Sequence, residues 1–412
     1  MTALQPVRGT RDLLPEDSWK HNHIVAAGRK LAANYGYGEI ATPIFEQTEV
    51  FARTLGDASD IVTKEMYTFT DKGGDSITLR PEGTAAVARA FISGKLNDQL
   101  PLKFFYHGPM FRYERPQKGR LRQFHQIGVE LFGVADPAAD VEVIALGAQI
   151  LDRLGVLGWS KLELNTLGDA ESREAYRTAL VAYFEQHRDR LSEDSRGRLH
   201  RNPLRILDSK DEGDRVIVAD APRFAEYLTP KAADFFGKVK EGLSDLGIAY
   251  HLNERLVRGL DYYCHSAFEF TTDRLGAQSA VLAGGRYDGL IQQMSGPPTP
   301  GVGWAAGIER LAMLAENFPP MPRPIAFIPM GEPAERKLRR VAFELRAAGI
   351  PIDMGYSGNL KRRLNRANRA HARLAVIVGD DELAAAQATV RDMDSGEQQT
   401  VPLAELAGHL AG

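Results

Sequence analysis

The chain has 412 residues, of which 43% are hydrophobic and 25% charged, with a formal net charge of −3 and one cysteine. These values are typical of a globular protein of two or three domains. The chain contains no apolar run long enough to span a bilayer, and its N-terminus lacks the apolar core of a signal peptide. Cys264 has no partner for an intramolecular disulfide, so we expect a cytoplasmic protein that does not associate with membranes. A nucleic-acid partner would need local basic patches, because the net charge attracts no polyanion.

Apolar spacing in the first half of the chain predicts helices before and after a β-hairpin in the sequence. A helix is expected over residues 16–35, and residues 76–90 predict a strand, a Pro-Glu-Gly turn and a helix. Residues 104–132 alternate as a hairpin, and residues 140–157 predict another helix. Residues 170–245 are charged and helical between two segments of β character, which indicates a helical insertion.

The second half of the chain predicts a return to strands and then a separate domain. Strand patterns occur at residues 248–270 and 279–283. Residues 317–324 contain four prolines and predict a linker. Beyond this linker, strand and helix patterns alternate over residues 325–412, which predicts a compact α/β domain.

The hairpin at residues 104–132 concentrates charge on one predicted face. Arg112 and Glu114 share a face of the first strand, and Gln126, Gly128 and Glu130 share a face of the second. Ile127, Val129 and Leu131 then form the apolar face of the second strand. The glycine in the polar row is expected to leave space for a small ligand. The alternative is a half-exposed sheet with surface salt bridges.

Arginine occurs beside glycine in several other segments. These segments are "LVRGLDYY" (256–263), "GGRYDGL" (284–290) and "GIERL" (307–311). Their glycines have no side chain, which suggests that a polyanion can approach the backbone beside each arginine. The chain has neither a Walker phosphate loop nor a dinucleotide fingerprint. Arginine side chains would therefore bind phosphate directly, through bidentate contacts and a permanent charge.

These segments together resemble class II aminoacyl-tRNA synthetases, and specifically the bacterial type of the histidyl-tRNA synthetase family. "FRYERPQKGRLRQFHQ" resembles the second class-defining motif, and "GVGWAAGIERL" resembles the third. "RGLDYY" and "GGRYDGL" resemble the two signatures of the histidine enzymes, and "TLRPEGT" and "NPLRILDSK" also fit. The resemblance covers essentially the whole chain.

The resemblance implies an α+β fold with a C-terminal domain that binds the anticodon. The catalytic domain, residues 1–320, would contain an antiparallel six-stranded sheet flanked by helices and the helical insertion at about 170–245. A Pro-rich linker at 317–324 would lead to an α/β anticodon-binding domain at 325–412. The family is homodimeric, and the segment around Pro43 resembles the motif that builds its dimer interface.

The implied reaction activates L-histidine with ATP and then transfers it to the 3′ end of tRNA-His. Arg112 resembles the arginine that contacts the α-phosphate, and Arg310 the arginine that contacts the γ-phosphate. Arg258 resembles the special catalytic arginine that bridges the α-phosphate and the histidine carboxylate. Glu114 would face adenine. Mg²⁺ would accompany ATP, and neither an organic cofactor nor a protein-bound metal is expected.

The resemblance also implies contacts to histidine. Glu82, Thr84 and Gln126 occupy the positions that accept from its ammonium group. Glu130 and Tyr263 match the contacts to its imidazole, with Tyr262 and Tyr287 nearby. Core packing is the alternative for the two tyrosines at 262 and 263.

Two groups of basic residues are expected to contact tRNA. The loop expected at the acceptor end contains Arg115, Gln117, Lys118, Arg120 and Arg122, with Gln117 matching the residue that recognises the extra 5′ guanosine. The second group recurs at helical spacing and predicts one basic face on the anticodon side, formed by Arg362, Arg366, Arg369 and Arg373. A solvated turn and a solvated helix face are the alternatives.

Other features are expected to have no catalytic role. His21 and His23 have no Cys or acidic ligand cluster nearby in the sequence, so a zinc site is not predicted there. Cys264 and His265 stand where the family more often has a polar residue and an arginine, and we expect both to pack.

A second function stays open at this point. A paralogue of these synthetases is a histidine-sensing regulatory subunit of ATP phosphoribosyltransferase that does not charge tRNA. That paralogue generally lacks both the C-terminal domain and the arginine of "RGLDYY", whereas residues 325–412 and Arg258 are present here.

Overall fold

The structure, a computed structural model, describes residues 4–55, 59, 61–256, 262–276 and 280–411. The chain divides into two compact units, residues 1–319 and 320–412. No described helix combines the length and apolar character needed to cross a membrane.

The first unit contains long helices, a large sheet and a small sheet. Its helices are α1 (Pro15–Asn34), α2 (Thr48–Leu55), α3 (Thr84–Ser93), α4 (Ala138–Arg153), α5 (Ala170–Gln186), α6 (Glu193–Arg198), α7 (Glu212–Ala219), α8 (Pro230–Asp245), α9 (Leu290–Gln293) and α10 (Ile308–Leu314). Its strands are β1 (Gly38–Glu39), β2 (Phe45–Gln47), β3 (Tyr67–Thr70), β4 (Ser76–Leu79), β5 (Leu102–Phe111), β6 (Gln123–Phe132), β7 (Lys161–Thr166), β8 (His251–Leu252), β9 (Cys264–Thr271), β10 (Ala280–Arg286) and β11 (Gly301–Gly307).

The large sheet has the strand order β1-β5-β6-β11-β10-β9-β7-β8. The central six strands pair antiparallel, as the resemblance implied. The expected total of six strands is wrong, because β1 and β8 add a parallel strand at each edge. Each has only two residues, which is too short to produce an alternating pattern in the sequence.

The β5–β6 hairpin confirms the predicted alternation on its second strand. Ile127, Val129 and Leu131 are buried in the core formed with α1, α4 and α10. Gln126, Gly128 and Glu130 face the opposite side of the sheet. Arg112 and Glu114 lie just beyond β5 rather than on it, because the strand ends at Phe111.

The helical insertion is present and forms a core of its own. Tyr176, Leu180 and Phe184 of α5 pack with Ile217 of α7 and with Phe224. Helix α8 differs, because its apolar residues pack into the main core behind the large sheet. The insertion's separate core therefore ends before α8.

The second unit is the expected α/β domain. Its elements are β12 (Ile325–Pro329), α11 (Glu332–Ala347), β13 (Ile352–Met354), α12 (Leu360–Arg369), β14 (Leu374–Val378), α13 (Asp380–Ala384), β15 (Gln387–Asp392), β16 (Gln398–Pro402) and α14 (Leu406–Ala411). Strands β13, β12 and β14 are parallel, and β15 and β16 continue the sheet antiparallel. Apolar side chains cover both faces of this sheet.

The predicted row of four arginines on one helix is wrong at its last member. Helix α12 ends at Arg369, and His371 then adopts a φ of 51°. Arg373 therefore lies beyond the helix, where its guanidinium donates to the Leu410 carbonyl at 3.1 Å. Leu364 and Ala367 do form the apolar back of α12, against Ala326 and Ile328.

Candidate active site

A buried carboxylate forms the centre of the polar face of the large sheet. Glu130 of β6 is fully buried, and its Oε1 accepts from Thr84 Oγ1 at 2.7 Å. Its Oε2 accepts from the hydroxyl of Tyr287. Burial raises the pKa of Glu130 to about 8, although the hydrogen bonds from Tyr287 and Thr84 oppose this shift. The predicted residues Thr84, Glu130 and Tyr287 are thus brought together.

Tyr106 belongs to the same group and was missed by sequence reasoning. Its buried hydroxyl lies near Thr84 and near the carboxylates of Glu82 and Glu130, and burial raises its pKa well above the ordinary value. Its ring crosses Gly128, where an added Cβ would come within 2.3 Å of Tyr106 Cζ. Gly128 therefore makes room for Tyr106, and the expectation that it leaves space for a ligand is wrong.

Glu82 lies two residues before the first residue of α3. Its carboxylate accepts from the backbone N–H of Thr84 at 2.7 Å and of Ala85 at 2.8 Å. Burial raises the pKa of Glu82, and these hydrogen bonds partly offset the effect. We call Glu82, Thr84, Tyr106, Glu130 and Tyr287 the carboxylate pocket.

Gln126 supplies an unpaired acceptor near this pocket. Its Oε1 is buried without a hydrogen-bond partner among the described residues. Such an atom costs about 1–3 kcal/mol unless another group binds it, which indicates a ligand position.

Tyr262 and Tyr263 lie in a tyrosine cluster with Tyr287. Their ring centroids are 4.6 Å apart, and each ring contacts Tyr287 edge-on. All three rings join the apolar core beneath α3 and α9. The packing alternative is therefore supported for both Tyr262 and Tyr263, and both rings also contact Tyr287 of the carboxylate pocket.

Arginines surround a second carboxylate beyond β5. Glu114 lies 3.0 Å from Arg120 and 4.0 Å from Arg112. Arg310 donates to the carbonyls of Gly119 at 3.1 Å and Ala280 at 2.6 Å. Burial lowers the pKa of Arg310, and the nearby charges of Arg120 and Arg112 act in the same direction. We call Arg112, Glu114, Arg120 and Arg310 the arginine cluster, and it concentrates positive charge at one place.

Arg112 connects the arginine cluster to the carboxylate pocket. Its Nε donates to the Pro81 carbonyl at 2.8 Å, next to Glu82. The Arg112 charge partly opposes the raised pKa of Glu82. The two groups of residues are therefore neighbours.

The predicted acceptor loop is a tight exposed turn. Gln117 and Arg120 pair through their backbones, and Gly119 between them has a φ of 73°. Arg115, Gln117 and Lys118 are exposed, consistent with a contact surface. Arg122 is less exposed than these residues, because its guanidinium packs on the Tyr113 ring, 3.9 Å from the ring centre.

Arg286 does not have the polyanion-binding role that its neighbouring glycines suggested. It is fully buried and forms an ion pair with Asp140, with its Nε 3.0 Å from Oδ2. Its remaining N–H groups donate to the carbonyls of Val134 and Asp136 and to Asp288. This ion pair connects β10 to α4 and stabilises their packing.

Several predictions concern other places in the chain. Arg258 lies outside the described residues. Arg362, Arg366 and Arg369 are exposed on α12, and Arg366 pairs with Asp353 at 3.1 Å. Cys264 is buried and its Sγ accepts from the Asp288 N–H, while His265 stacks on Phe235, so both pack as expected.

Two family models cover most of the chain. The model described as Histidyl-tRNA synthetase matches residues 9–311. The model described as Anticodon binding domain matches residues 325–411.

Similar proteins match over the full length. A Rhodospirillum rubrum protein named Histidine--tRNA ligase is 61% identical, with 100% of this chain and 99% of the relative covered. A Gluconacetobacter diazotrophicus protein of the same name is 56% identical, with the same coverage. The solved structure of apo S. aureus histidyl-tRNA synthetase is 38% identical, covers 100% of both chains and gives a TM-score of 0.83.

Proposed function

The chain belongs to the histidyl-tRNA synthetase family, and from that membership we propose how its residues carry out the histidine–tRNA ligase reaction. This activity makes it an aminoacyl-tRNA synthetase. A histidine carboxylate oxygen attacks the α-phosphorus of ATP, the bond to the bridging oxygen breaks, and pyrophosphate leaves. A hydroxyl of the terminal adenosine of tRNA-His then attacks the histidyl carbonyl, and AMP leaves.

The observation that carries the residue roles is the position of the carboxylate pocket beside the arginine cluster. A group of buried hydroxyls and carboxylates suits a small polar molecule, and a cluster of arginines suits a polyphosphate. Arg112 belongs to the arginine cluster, and its hydrogen bond to the Pro81 carbonyl places it next to the carboxylate pocket. This arrangement would place the histidine carboxylate next to the α-phosphate.

Histidine is proposed to occupy the carboxylate pocket. Its ammonium group would be bound by Glu82, Thr84 and the unpaired Gln126 Oε1, which needs a donor. Its imidazole would be bound by Glu130, with Tyr263, Tyr262 and Tyr287 enclosing it. A pocket that hydrogen-bonds a polar ring rejects apolar analogues strongly, because its buried groups are then left unpaired.

ATP is proposed to bind at the arginine cluster as its Mg²⁺ complex. Arg112 would contact the α-phosphate, Arg310 the γ-phosphate and Glu114 the adenine side. Arg258 would contact the α-phosphate and the histidine carboxylate. Positioned positive charge stabilises the transition state of phosphoryl transfer more than a general base does. No organic cofactor is needed for this chemistry.

The acceptor end of tRNA is proposed to lie at the turn containing Arg115, Gln117, Lys118 and Arg120, with Arg122 behind it. The anticodon would contact residues 325–412, with Arg362, Arg366 and Arg369 of α12 as candidates. Arg373 is the weakest candidate, because its guanidinium is bonded to the Leu410 carbonyl.

The remaining proposals concern organisation. We propose a catalytic domain at 1–320 with an insertion at 170–245, a linker at 317–324 and an anticodon-binding domain at 325–412. We also propose a cytoplasmic homodimer whose interface includes the segment around Pro43. Ile44 and Phe45 beside it are exposed apolar residues, which supports burial against a second copy. Sedimentation equilibrium tests the dimer.

Histidine-dependent exchange of pyrophosphate into ATP is the experiment that tests the function. We expect exchange in the wild type and a loss of about 10²–10³ in Arg258→Ala, because one preorganised charge at the phosphorus is removed. Arg255→Ala is the matched control, since Arg255 is exposed three positions earlier and has no proposed role.

The histidine-sensing alternative is not favoured, because the full-length relatives carry the ligase name and the C-terminal family model is matched. It predicts a different outcome. Folded wild-type protein that binds histidine without catalysing exchange would support the sensor and contradict the ligase.

A further inference from the structure

A cluster of potential metal ligands lies on the other side of the large sheet from the candidate active site. His21 of α1, His125 of β6 and Glu309 of α10 each offer one ligand atom, and these atoms lie within 4.8 Å of one another. His125 shares its strand face with Ile127 and Val129, against which α1 and α10 pack. Sequence spacing did not indicate this cluster, because its members come from three distant segments.

Hydrogen bonds already hold two of the three side chains in place. The Glu309 carboxylate accepts from the backbone N–H of His125 at 2.9 Å and from its Nδ1 at 2.8 Å. Glu309 is buried, whereas His125 retains some exposure that gives access from solvent. A histidine oriented by a carboxylate is a common arrangement at metal sites.

His21 has an unsatisfied nitrogen at this cluster. It is only 5% exposed, and its Nε2 has no hydrogen-bond partner among the residues that the structure describes. Its ring meets the His125 ring edge-on, with centroids 5.3 Å apart. A buried nitrogen without a hydrogen-bond partner carries a desolvation cost. This cost would be removed if the lone pair bound a cation.

Neutral imidazole and carboxylate groups are the forms that bind divalent metals, so a metal ion and protons compete for this cluster.

We propose that His21, His125 and Glu309 bind one divalent transition-metal ion of the zinc class. Two imidazoles and one carboxylate are ligands that zinc accepts, with a fourth position left for water. Tetrahedral zinc ligands lie about 3.4 Å apart for bond lengths near 2.1 Å. His21 would therefore move inward by up to about 1.4 Å, and the Nδ1 atom of His125 would separate from the Glu309 carboxylate by about 0.6 Å. The imidazole proton of His125 would shift from Nδ1 to Nε2, so that Nδ1 can bind the ion. The ion would join α1 and α10 to the strand that carries Gln126 and Glu130.

The test is zinc binding by the chelator-treated full-length protein. Zinc ion alone is titrated calorimetrically, and bound metal is counted after dialysis. We expect one equivalent in the wild type and at least about 100-fold weaker binding in His21→Phe. His23→Phe is the matched control, because His23 lies on the same helix outside the cluster and packs on Phe318. It should bind as the wild type does.

Two further measurements keep the proposal falsifiable. Zinc should raise the melting temperature of the wild type and of His23→Phe but not of His21→Phe, and its affinity should fall from pH 8 to pH 6 because protons compete. If His21→Phe does not fold, His21→Gln replaces it. A wild type that takes up no zinc, or a folded His21 variant that binds it unchanged, overturns the proposal.

Discussion

The carboxylate pocket and the arginine cluster are neighbours, yet they neutralise their carboxylates differently. Glu130 is fully buried and is bonded to the hydroxyls of Thr84 and Tyr287. Glu114 lies against the guanidinium groups of Arg120 and Arg112. The first environment raises the pKa of Glu130, whereas the second holds Glu114 by ion pairs with guanidinium groups.

This difference indicates what each region can bind. The carboxylate pocket supplies directional hydrogen bonds in a low-dielectric environment, which distinguish one polar ring from another. The arginine cluster supplies charge that persists at every physiological pH, which a polyphosphate requires. An arginine does not by itself indicate a phosphate site, because Arg286 is neutralised by Asp140 and connects β10 to α4.

Removing the arginine that links the two regions should have the largest effect. We expect Arg112→Ala to lower the rate of histidine-dependent pyrophosphate exchange by about 10²–10³, because a preorganised charge at the α-phosphate is lost. Arg112→Lys keeps the charge but not the bidentate geometry and should recover only part of the rate. A loss below tenfold in Arg112→Ala would show that the arginine cluster does not bind the reacting phosphate.

The protonation of Glu130 tests the carboxylate pocket through stability. The folded-state pKa of about 8 exceeds the ordinary value of 4.5, so the folded protein binds more protons than the unfolded chain between these limits. The free energy of unfolding of the wild type should therefore fall relative to Glu130→Gln as pH rises, by about 1.4 kcal/mol per pH unit within that window. Urea unfolding at pH 5.5, 6.5 and 7.5 measures this. Parallel pH profiles for the two proteins would show that Glu130 is ionised in the fold.

Tyr106→Phe tests the member of the carboxylate pocket that sequence reasoning missed. The ring that crosses Gly128 is kept and only the hydroxyl near Thr84 and Glu130 is lost. The hydroxyl has no hydrogen-bond partner among the described residues, so it is available to bound histidine. We expect the KM for histidine to rise by roughly fivefold, with little change in exchange kcat, because one neutral hydrogen bond to the substrate contributes about 1 kcal/mol. Tyr37→Phe removes a buried hydroxyl that is bonded to Glu142 and not to a member of the pocket, and should leave this KM unchanged. Equal KM values for both variants would exclude Tyr106 from histidine binding.

The faces of the β5–β6 hairpin could be predicted because alternation is a local property of the sequence. Ile127 and Val129 are buried as expected, and Glu130 lies on the other face. The six antiparallel strands and the α/β unit followed from the resemblance and from patterning. The two-residue edge strands could not be predicted, because they contain no repeat.

Contacts between distant segments could not be predicted either. The space at Gly128 is filled by Tyr106 only because β5 and β6 pair in the observed register. Arg286 resembled a phosphate ligand until its pairing with Asp140, 146 positions away, was known. Arg373 continued a helical spacing beyond the end of α12, since spacing alone does not fix where a helix stops.

The exposed turn beside the arginine cluster should give the smallest effect and separates the two reaction steps. Lys118→Ala removes one exposed cation from the proposed acceptor surface while leaving the arginine cluster intact. We expect unchanged pyrophosphate exchange, a KM for tRNA raised by roughly threefold, and a salt dependence of that KM reduced by about one phosphate contact. Lys72→Ala is the control, because Lys72 is exposed in the β3–β4 turn and has no proposed tRNA contact. If Lys118→Ala lowered exchange as much as aminoacylation, the turn would act on ATP instead, and its charge would belong with the arginine cluster and not with the tRNA contact surface.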